Sequence, residues 1–574
     1  MNSLVLALVG IAMIVAGYLL YSRFLAKKVY RLDPDYTMPS HRYEDGVDFV
    51  PTNKLVLWGH HFTSVAGAAP IVGPAVAVIW GWGPAFLWVT LGTVFFAGMH
   101  DLGALWASGR NKAQSIGTLS GKYIGKHGRN LFLVVIFLLL LMVNAAFAVV
   151  ISGLLVSTPT AVIPTWGAIV VALLIGQAIY RFKWNLPLVS VVGVVALYGL
   201  MLLGDRFPIV LPETILGLSA GAFWIVVLFI YAGIASLLPV WMLLQPRDYI
   251  NGLQLFIGLG ILYAAIIVSS PTVVAPFYNE NVPEGTPGIL PLLFVTIACG
   301  AISGFHGIVS SGTSSKQIDK ETDARFVGYF GAVGEGLLSL GTIIAVTAGF
   351  RTLADWEEVY SAFGEGGVGA FVTAGGQILN TGLGIPTGLS STILATMAVL
   401  FAATTMDTGV RLQRFVVAEI GQIAGVKLGT LASTLIVMAV TMGLAFGAGA
   451  DGSGGMVIWP LFGTTNQLMA ALTLSIVSVI LLRLRRPVWP VLIPLVFVAF
   501  VSVYALFVQM VQFWNEQNWL LLVLDVVILV SALWVLVTAF GAMNAARKGP
   551  AVTPEEDEAV DAEDAFEPAG ARRD

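Results

Sequence analysis

"GHHFTSVAGAAPIVGPAVAVIWGWGP" occupies residues 59–84. The run is apolar enough to enter a lipid bilayer, yet it carries paired histidines, internal prolines and a scatter of glycines. Pro70 and Pro74 remove backbone donors, and Gly67, Gly73, Gly81 and Gly83 weaken what helix remains. The stretch therefore predicts a discontinuous helix that releases carbonyls and amides around residues 64–74. Hydrocarbon tolerates such groups only where they are buried in protein or line a wet cavity. Broken helices near the midplane are how many secondary transporters hold substrates and ions. Close packing through small residues is the competing explanation, but packing alone does not require two prolines beside His60 and His61. Gly59, His60, His61, Ser64, Gly67 and Ala68 are accordingly candidate substrate-binding residues.

The rest of the chain supplies a membrane for this helix to break in. Of 574 residues, 57% are hydrophobic and 11% charged, against about a quarter charged in soluble domains. A net charge of −4 without a basic run argues against nucleic acid as a partner. The single cysteine, Cys299, excludes an internal disulfide framework. Apolar runs of about 18 to 25 residues recur from end to end, the length of membrane-crossing helices and not of barrel strands. The fold class is an all-α polytopic membrane protein with about fifteen spans: 2–22, 55–80, 84–108, 130–156, 161–181, 185–204, 221–245, 249–270, 289–313, 326–350, 390–410, 428–447, 456–482, 490–511 and 519–541. The glycine-rich stretch 366–386 reads as a re-entrant or interfacial helix and is left outside the count.

Charge supports the count. With the N-terminus outside, Lys and Arg gather in every second loop, from "YSRFLAKK" through Arg110, Arg181, Arg247, Lys316 and Arg411 to Arg483, while the alternate loops carry Arg206 and Arg351 and are otherwise acidic or neutral. The first run has no basic leader or small-residue cleavage site and reads as a retained span. The chain then divides into residues 1–54 (one span and a cytoplasmic loop), 55–410 (a core), 411–541 (additional spans) and 542–574, an acidic, disordered cytoplasmic tail.

Inverted repeats require a second broken helix in the opposite orientation. Counting five spans on reaches 221–245, interrupted by Gly233 and by Ser236 through Pro239, which gives repeats 55–204 and 221–410 and adds Gly233 and Ser236 to the substrate-binding set. A rival register pairs the first break with the glycine-rich 289–313, at the cost of an inserted helix pair. Near the inner end of that span, Ser310, Ser311, Thr313 and Ser314 offer hydroxyls that with freed carbonyls would form an oxygen cage for sodium; serines bonding back to their own helix are the plain alternative.

Ionisable groups inside spans are costly and mark pathways or relays. Of the six histidines, His60, His61, His100 and His306 fall within spans, and imidazole titrates near neutral pH. Asp101 follows His100, Glu335 lies in "GAVGEGLLSLG", Asp407 in "ATTMDTGVR" and Asp525 in "LLVLDVVILV". His306, Glu335 and Asp407 join the serines and Thr313 as candidate coupling-ion residues, the ion being a proton or sodium. No cofactor or metal is expected: "GLSAG" at 217–221 matches a nucleophile-elbow pattern without its strand-turn-helix context, and adjacent histidines diverge by roughly 100° on a helix and do not share one metal easily. The expected partners are a small-molecule substrate and the bilayer.

"PTNKLVLWGHHFTSVAGAAPIVGPAVAVIWGWGP", "AISGFHGIVSSGTSSK", "TTMDTGVRLQRFVVAEI" and "IWPLFGTTNQLMAALTL" resemble the carbon starvation protein A family. That resemblance covers most of the chain. It implies an inner-membrane transporter related to the amino acid-polyamine-organocation superfamily, with a leucine-transporter type of core. It further implies uptake of peptides or pyruvate during carbon limitation, the latter with protons. A channel or a nutrient sensor is the alternative reading.

Overall fold

The computed structural model describes residues 1–447, 449 and 454–553. Its helices are α1 Ser3–Val29, α2 Lys54–Ala66, α3 Ala69–Trp80, α4 Trp82–Arg110, α5 Ile116–Tyr123, α6 Lys126–Ser157, α7 Pro159–Ile179, α8 Leu186–Arg206, α9 Ala220–Leu237 and α10 Leu244–Ser269. They continue with the short segments α11 Ile289–Thr296, α12 Ala298–Ala301 and α13 Gly304–Gly312, and then α14 Glu321–Ala348, α15 Leu353–Val359, α16 Gly367–Leu383, α17 Thr387–Ile423, α18 Thr430–Ala445, α19 Trp459–Arg483, α20 Trp489–Asn515 and α21 Trp519–Lys548. Among the described residues twelve helices are long and apolar enough to cross a membrane, thirteen if the bent pair α2–α3 is one span. The other two expected spans are the interrupted α11–α13 and the sixteen-residue α18.

The first break is where the glycines and prolines placed it. Between α2 and α3 the chain bends by 44°. Gly67 sits at φ +57°, ψ −160°, a conformation open to glycine, and a Cβ there would press on Phe147. The expected second break is not in α9, which runs without interruption to Leu237 and gives way to a turn before α10. Pro239 follows the helix end instead of kinking its interior. The second discontinuity is that of the rival register: non-helical backbone at Ile297 and again at Ile302–Ser303 separates α11, α12 and α13. The two broken regions touch, since a Cβ on Gly73 would lie 2.3 Å from the Thr296 carbonyl oxygen.

The loops rich in Lys and Arg meet at one end of the bundle. Arg110 makes a forked contact with Glu321 (2.5 and 2.8 Å), Arg486 donates to the Tyr30 carbonyl, Thr52 N–H donates to the Gln317 carbonyl (2.9 Å), and Arg411 pairs with Asp48 (2.7 Å). Burial pushes the Asp48 carboxyl up, but Arg411, Lys316 and Arg414 outweigh it and hold the group below its ordinary value. At the opposite end Tyr360 donates to the Ala75 carbonyl (2.6 Å) and Val274 N–H to that of Thr347 (2.9 Å). Helix α16 stays at this end throughout: Gly366 abuts Ala75, Ala374 abuts Gly349 and Gly382 abuts Ala265. It is not among the helices long and apolar enough to cross a membrane.

"GLSAG" forms part of a small hairpin, β1 Thr214–Ile215 with β2 Leu218–Ser219, and Ser219 caps α9 by accepting from Ala222 N–H (3.2 Å). At the C-terminus α21 continues through residue 542 to Lys548, past the expected start of the tail, and Val552 N–H donates to the Arg483 carbonyl (3.2 Å). The acidic residues 554–574 lie outside the described residues.

Candidate functional site

Two buried polar networks flank α2, and the adjacent histidines send one side chain to each. His60 Nδ1–H donates to Asp248 Oδ2 (2.7 Å), to which Ser64 Oγ–H also donates (3.3 Å). The other Asp248 oxygen accepts from Arg247 Nη2–H (3.0 Å). Arg247 Nη1 reaches Asp407 Oδ2 and donates to the Tyr231 hydroxyl (2.5 Å), which in turn donates to Asp407 (2.9 Å). Arg247, Asp248, Asp407 and His60 are all at most 3% exposed at their side chains. With His60 neutral, the one cation and two carboxylates leave this group at −1; a proton on His60 brings it to zero.

His61 points the other way, its Nδ1 sharing a hydrogen bond with Ser314 Oγ (2.8 Å) and its ring lying over Gly331 of α14. Beside it His306, in the first turns after the second break, donates from Nδ1 to Asp101 Oδ2 (2.8 Å) and holds Nε2 3.0 Å from Glu335 Oε2. His100 donates to the remaining Asp101 oxygen (2.8 Å). One imidazole thus faces two carboxylates, and Glu335 Oε1, His61 Nε2 and His100 Nε2 are buried without a hydrogen-bond partner among the described residues. Even with His306 charged, two ionised carboxylates again leave −1. The second break is capped by Asn466, whose Oδ1 accepts from Phe305 N–H (2.9 Å) and from Ser303 Oγ–H (3.2 Å).

The remaining candidates divide. Gly59 permits α10 to approach, a Cβ there falling 3.3 Å from Tyr249 Cα, and Ala68 is buried at the head of α3. The carbonyls freed at the first break belong to Thr63 and Ser64 and accept from Thr404 (2.9 Å) and Thr405 (3.0 Å) of α17. The expected cage of Ser310, Ser311 and Thr313 does not meet them. Ser311 bonds back to the Gly307 carbonyl (2.7 Å), Ser310 Oγ has no partner among the described residues, and Thr313 ends α13. His306 and Glu335 are brought together, whereas Asp407 belongs to the arginine network. Gly233 packs on Met438 and Ser236 bonds to the Gly233 carbonyl (2.8 Å), so neither enters a network. Asp407 and Asp101 are buried and paired; Asp525 is buried with both oxygens unpartnered among the described residues. No group of three His, Cys, Asp or Glu among the described residues is arranged to hold a metal ion.

Sequence reasoning passed over Arg247, Asp248, Tyr231 and Asn251. Arg247 entered only as a loop charge, because "LLQPRDYI" sits at a span boundary; the signal available was the Arg-Asp pair flanked by apolar helix.

Broken helices packed against each other, with ionisable groups buried around them, define a polytopic α-helical membrane protein with a polar core. The Carbon starvation protein CstA family profile matches residues 2–354 and 349–505. The chain belongs to that family. It is 33% identical to the peptide transporter CstA of Campylobacter jejuni, covering 90% of this chain and 81% of that one. It is 29% identical to the pyruvate/proton symporter BtsT of Escherichia coli, covering 86% and 79%. Among solved structures, a mutant of the Eremococcus coleocola manganese transporter superposes with a TM-score of 0.46 at 11% identity over 86% of this chain and 95% of that one, too loosely to carry an argument.

Proposed function

We propose that this protein is a proton-coupled symporter that imports small carboxylate-bearing nutrients, pyruvate-like acids or peptides, by alternating access around its two broken helices. The observation that carries this reading is the charge count. Each network beside α2 has one more carboxylate than cation when His306 is charged and His60, His61 and His100 are neutral. A net charge in a membrane core is expensive, and protonation is the cheapest way to remove it. The relatives named as a pyruvate/proton symporter and as peptide transporters support the substrate class and the ion.

The core is of the inverted-repeat kind, with α2–α3 opening one repeat and α11–α13 the other. In this assignment α6 pairs with α17, α9 with α18 and α10 with α19, while α7–α8 is a hairpin inserted between the third and fourth members of the first repeat. The lipid-facing character of α8, 22% buried over its apolar window, fits an insertion. The basic end is cytoplasmic, which puts the N-terminus outside and the C-terminus inside.

The Thr63 and Ser64 carbonyls beside Thr404 and Thr405 form an oxygen-rich spot that favours a second reading, sodium coupling. Proteoliposomes decide between the two. An imposed proton gradient should drive labelled pyruvate or a labelled dipeptide inward without sodium; uptake that requires sodium and ignores the proton gradient would replace the proton, and uptake under neither gradient would remove the symporter.

A further inference from the structure

The arginine network has a cavity beside it. A space of about 20 Å³ lies between α7, α9, α10 and α17 and is bounded by Arg247, Tyr231, Asn251 and Trp166. Its polar lining is rich in donors. Asn251 is 2% exposed and its Nδ2 has no partner among the described residues, nor has Trp166 Nε1. Leu228, Leu400 and Ala403 close the other sides with apolar surface. A guanidinium, a phenol, a carboxamide N–H and an indole N–H around a small apolar space are the complement of a carboxylate on a short carbon chain.

A second, larger space of about 540 Å³ lies toward the basic end and is lined by Gln177, Arg181 and Trp241 with Gly46 and Val50. Trp166 and Ile169 border the first cavity, and Gln177 and Arg181 the second. The four recur at helical spacing along one face of α7 and its continuation. One wall therefore serves both spaces, and it belongs to the hairpin α7–α8.

We infer that Arg247, Tyr231, Asn251 and Trp166 form a binding site for the substrate's carboxylate, off the axis of the broken helices, and that the α7 face leads from it to the basic end. This rests on the symporter reading and adds the location and chemistry of its site. The 20 Å³ space holds one water-sized group, so α7 and α9 part when substrate enters. The carboxylate takes Arg247 and Tyr231 donors now given to Asp407. An anion arriving where the count already stands at −1 brings a proton with it, to Asp407 or His60. The site thus links binding to protonation.

The test uses full-length protein in proteoliposomes, with labelled pyruvate as probe, and Asn251→Ala and Trp166→Phe as variants whose folding is checked by thermal melting. Loss of a hydrogen bond to a charged group is expected to raise KM for pyruvate about tenfold in each, with kcat little changed. Acetate and propionate compete in the wild type; propionamide, matched in shape but uncharged, does not. Unchanged KM in both folded variants, or equal competition by the amide, overturns the site while wild-type uptake keeps the symporter. A wild type that transports neither pyruvate nor dipeptide overturns both.

Discussion

The two buried networks on either side of α2 are built from different materials. One has an arginine, a tyrosine and a cavity. The other has imidazoles and carboxylates, packed so that His306 touches both Asp101 and Glu335. Arg247 cannot give up its charge, so within the first network the arginine changes only by exchanging partners, while Asp407 or His60 takes the proton that accompanies the substrate. Every member of the second can gain or lose a proton in place. Partner exchange suits a substrate and in-place titration suits a proton, and the adjacent His60 and His61 tie the two to one helix. Substrate binding with its accompanying proton therefore belongs to the first network, the second is built for further proton transfer, and the two share a rigid part.

The division is breakable by mutation. Glu335→Gln should have the largest effect: gradient-driven uptake falls a hundredfold or more, about 3 kcal/mol at tenfold per 1.4 kcal/mol, while pyruvate exchange between equal pools persists. If exchange is lost as well, the second network handles substrate too. Asp407→Leu should act on stability, since removing one partner of a buried pair costs about 3–5 kcal/mol; a melting curve in detergent reports it, and a wild-type melt would mean that Arg247 finds another partner. The histidines sharpen the contrast. His60→Ala should raise KM and His61→Ala should alter the pH profile of uptake, so identical phenotypes would merge the two networks.

The smallest effect belongs to the basic end. Asp48 is held below its ordinary pKa by Arg411 and Lys316 despite burial, so its contribution is fully present above the unfolded carboxyl's value and is lost as pH falls through the lowered one. Asp48→Asn should therefore cost no more than about 1 kcal/mol near neutrality, the size of a partly exposed pair, with the difference from wild type vanishing in strong acid. A deficit that persists there would assign Asp48 a role beyond the ion pair.

How much of this the sequence discloses depends on whether the cause is local. The first break is local: Gly67, Pro70 and Pro74 disable the helix whatever surrounds them. The side-to-side alternation of Lys and Arg is likewise a property of the chain. The break wrongly expected at Gly233–Pro239 shows the limit, because a proline after a helix end and one within a kink look alike until the next helix begins, here at Leu244. The second discontinuity depends on Asn466, far along the chain, accepting from the Phe305 N–H and bonding the Ser303 hydroxyl. His306 and Glu335 were legible as buried titratable groups, and their pairing was not. Arg247 was hidden because a charge at a span boundary reads as solvated, and only the packing of α9, α10 and α17 puts it out of water.

The central claim is that a carboxylate and a proton enter together. Calorimetric titration of the purified protein with pyruvate, repeated in buffers of different ionisation enthalpy, counts protons taken up on binding. The account predicts about one proton per pyruvate near neutral pH, falling toward zero in the His60→Ala, Asp407→Asn double variant. Binding with no proton uptake by the wild type would contradict it.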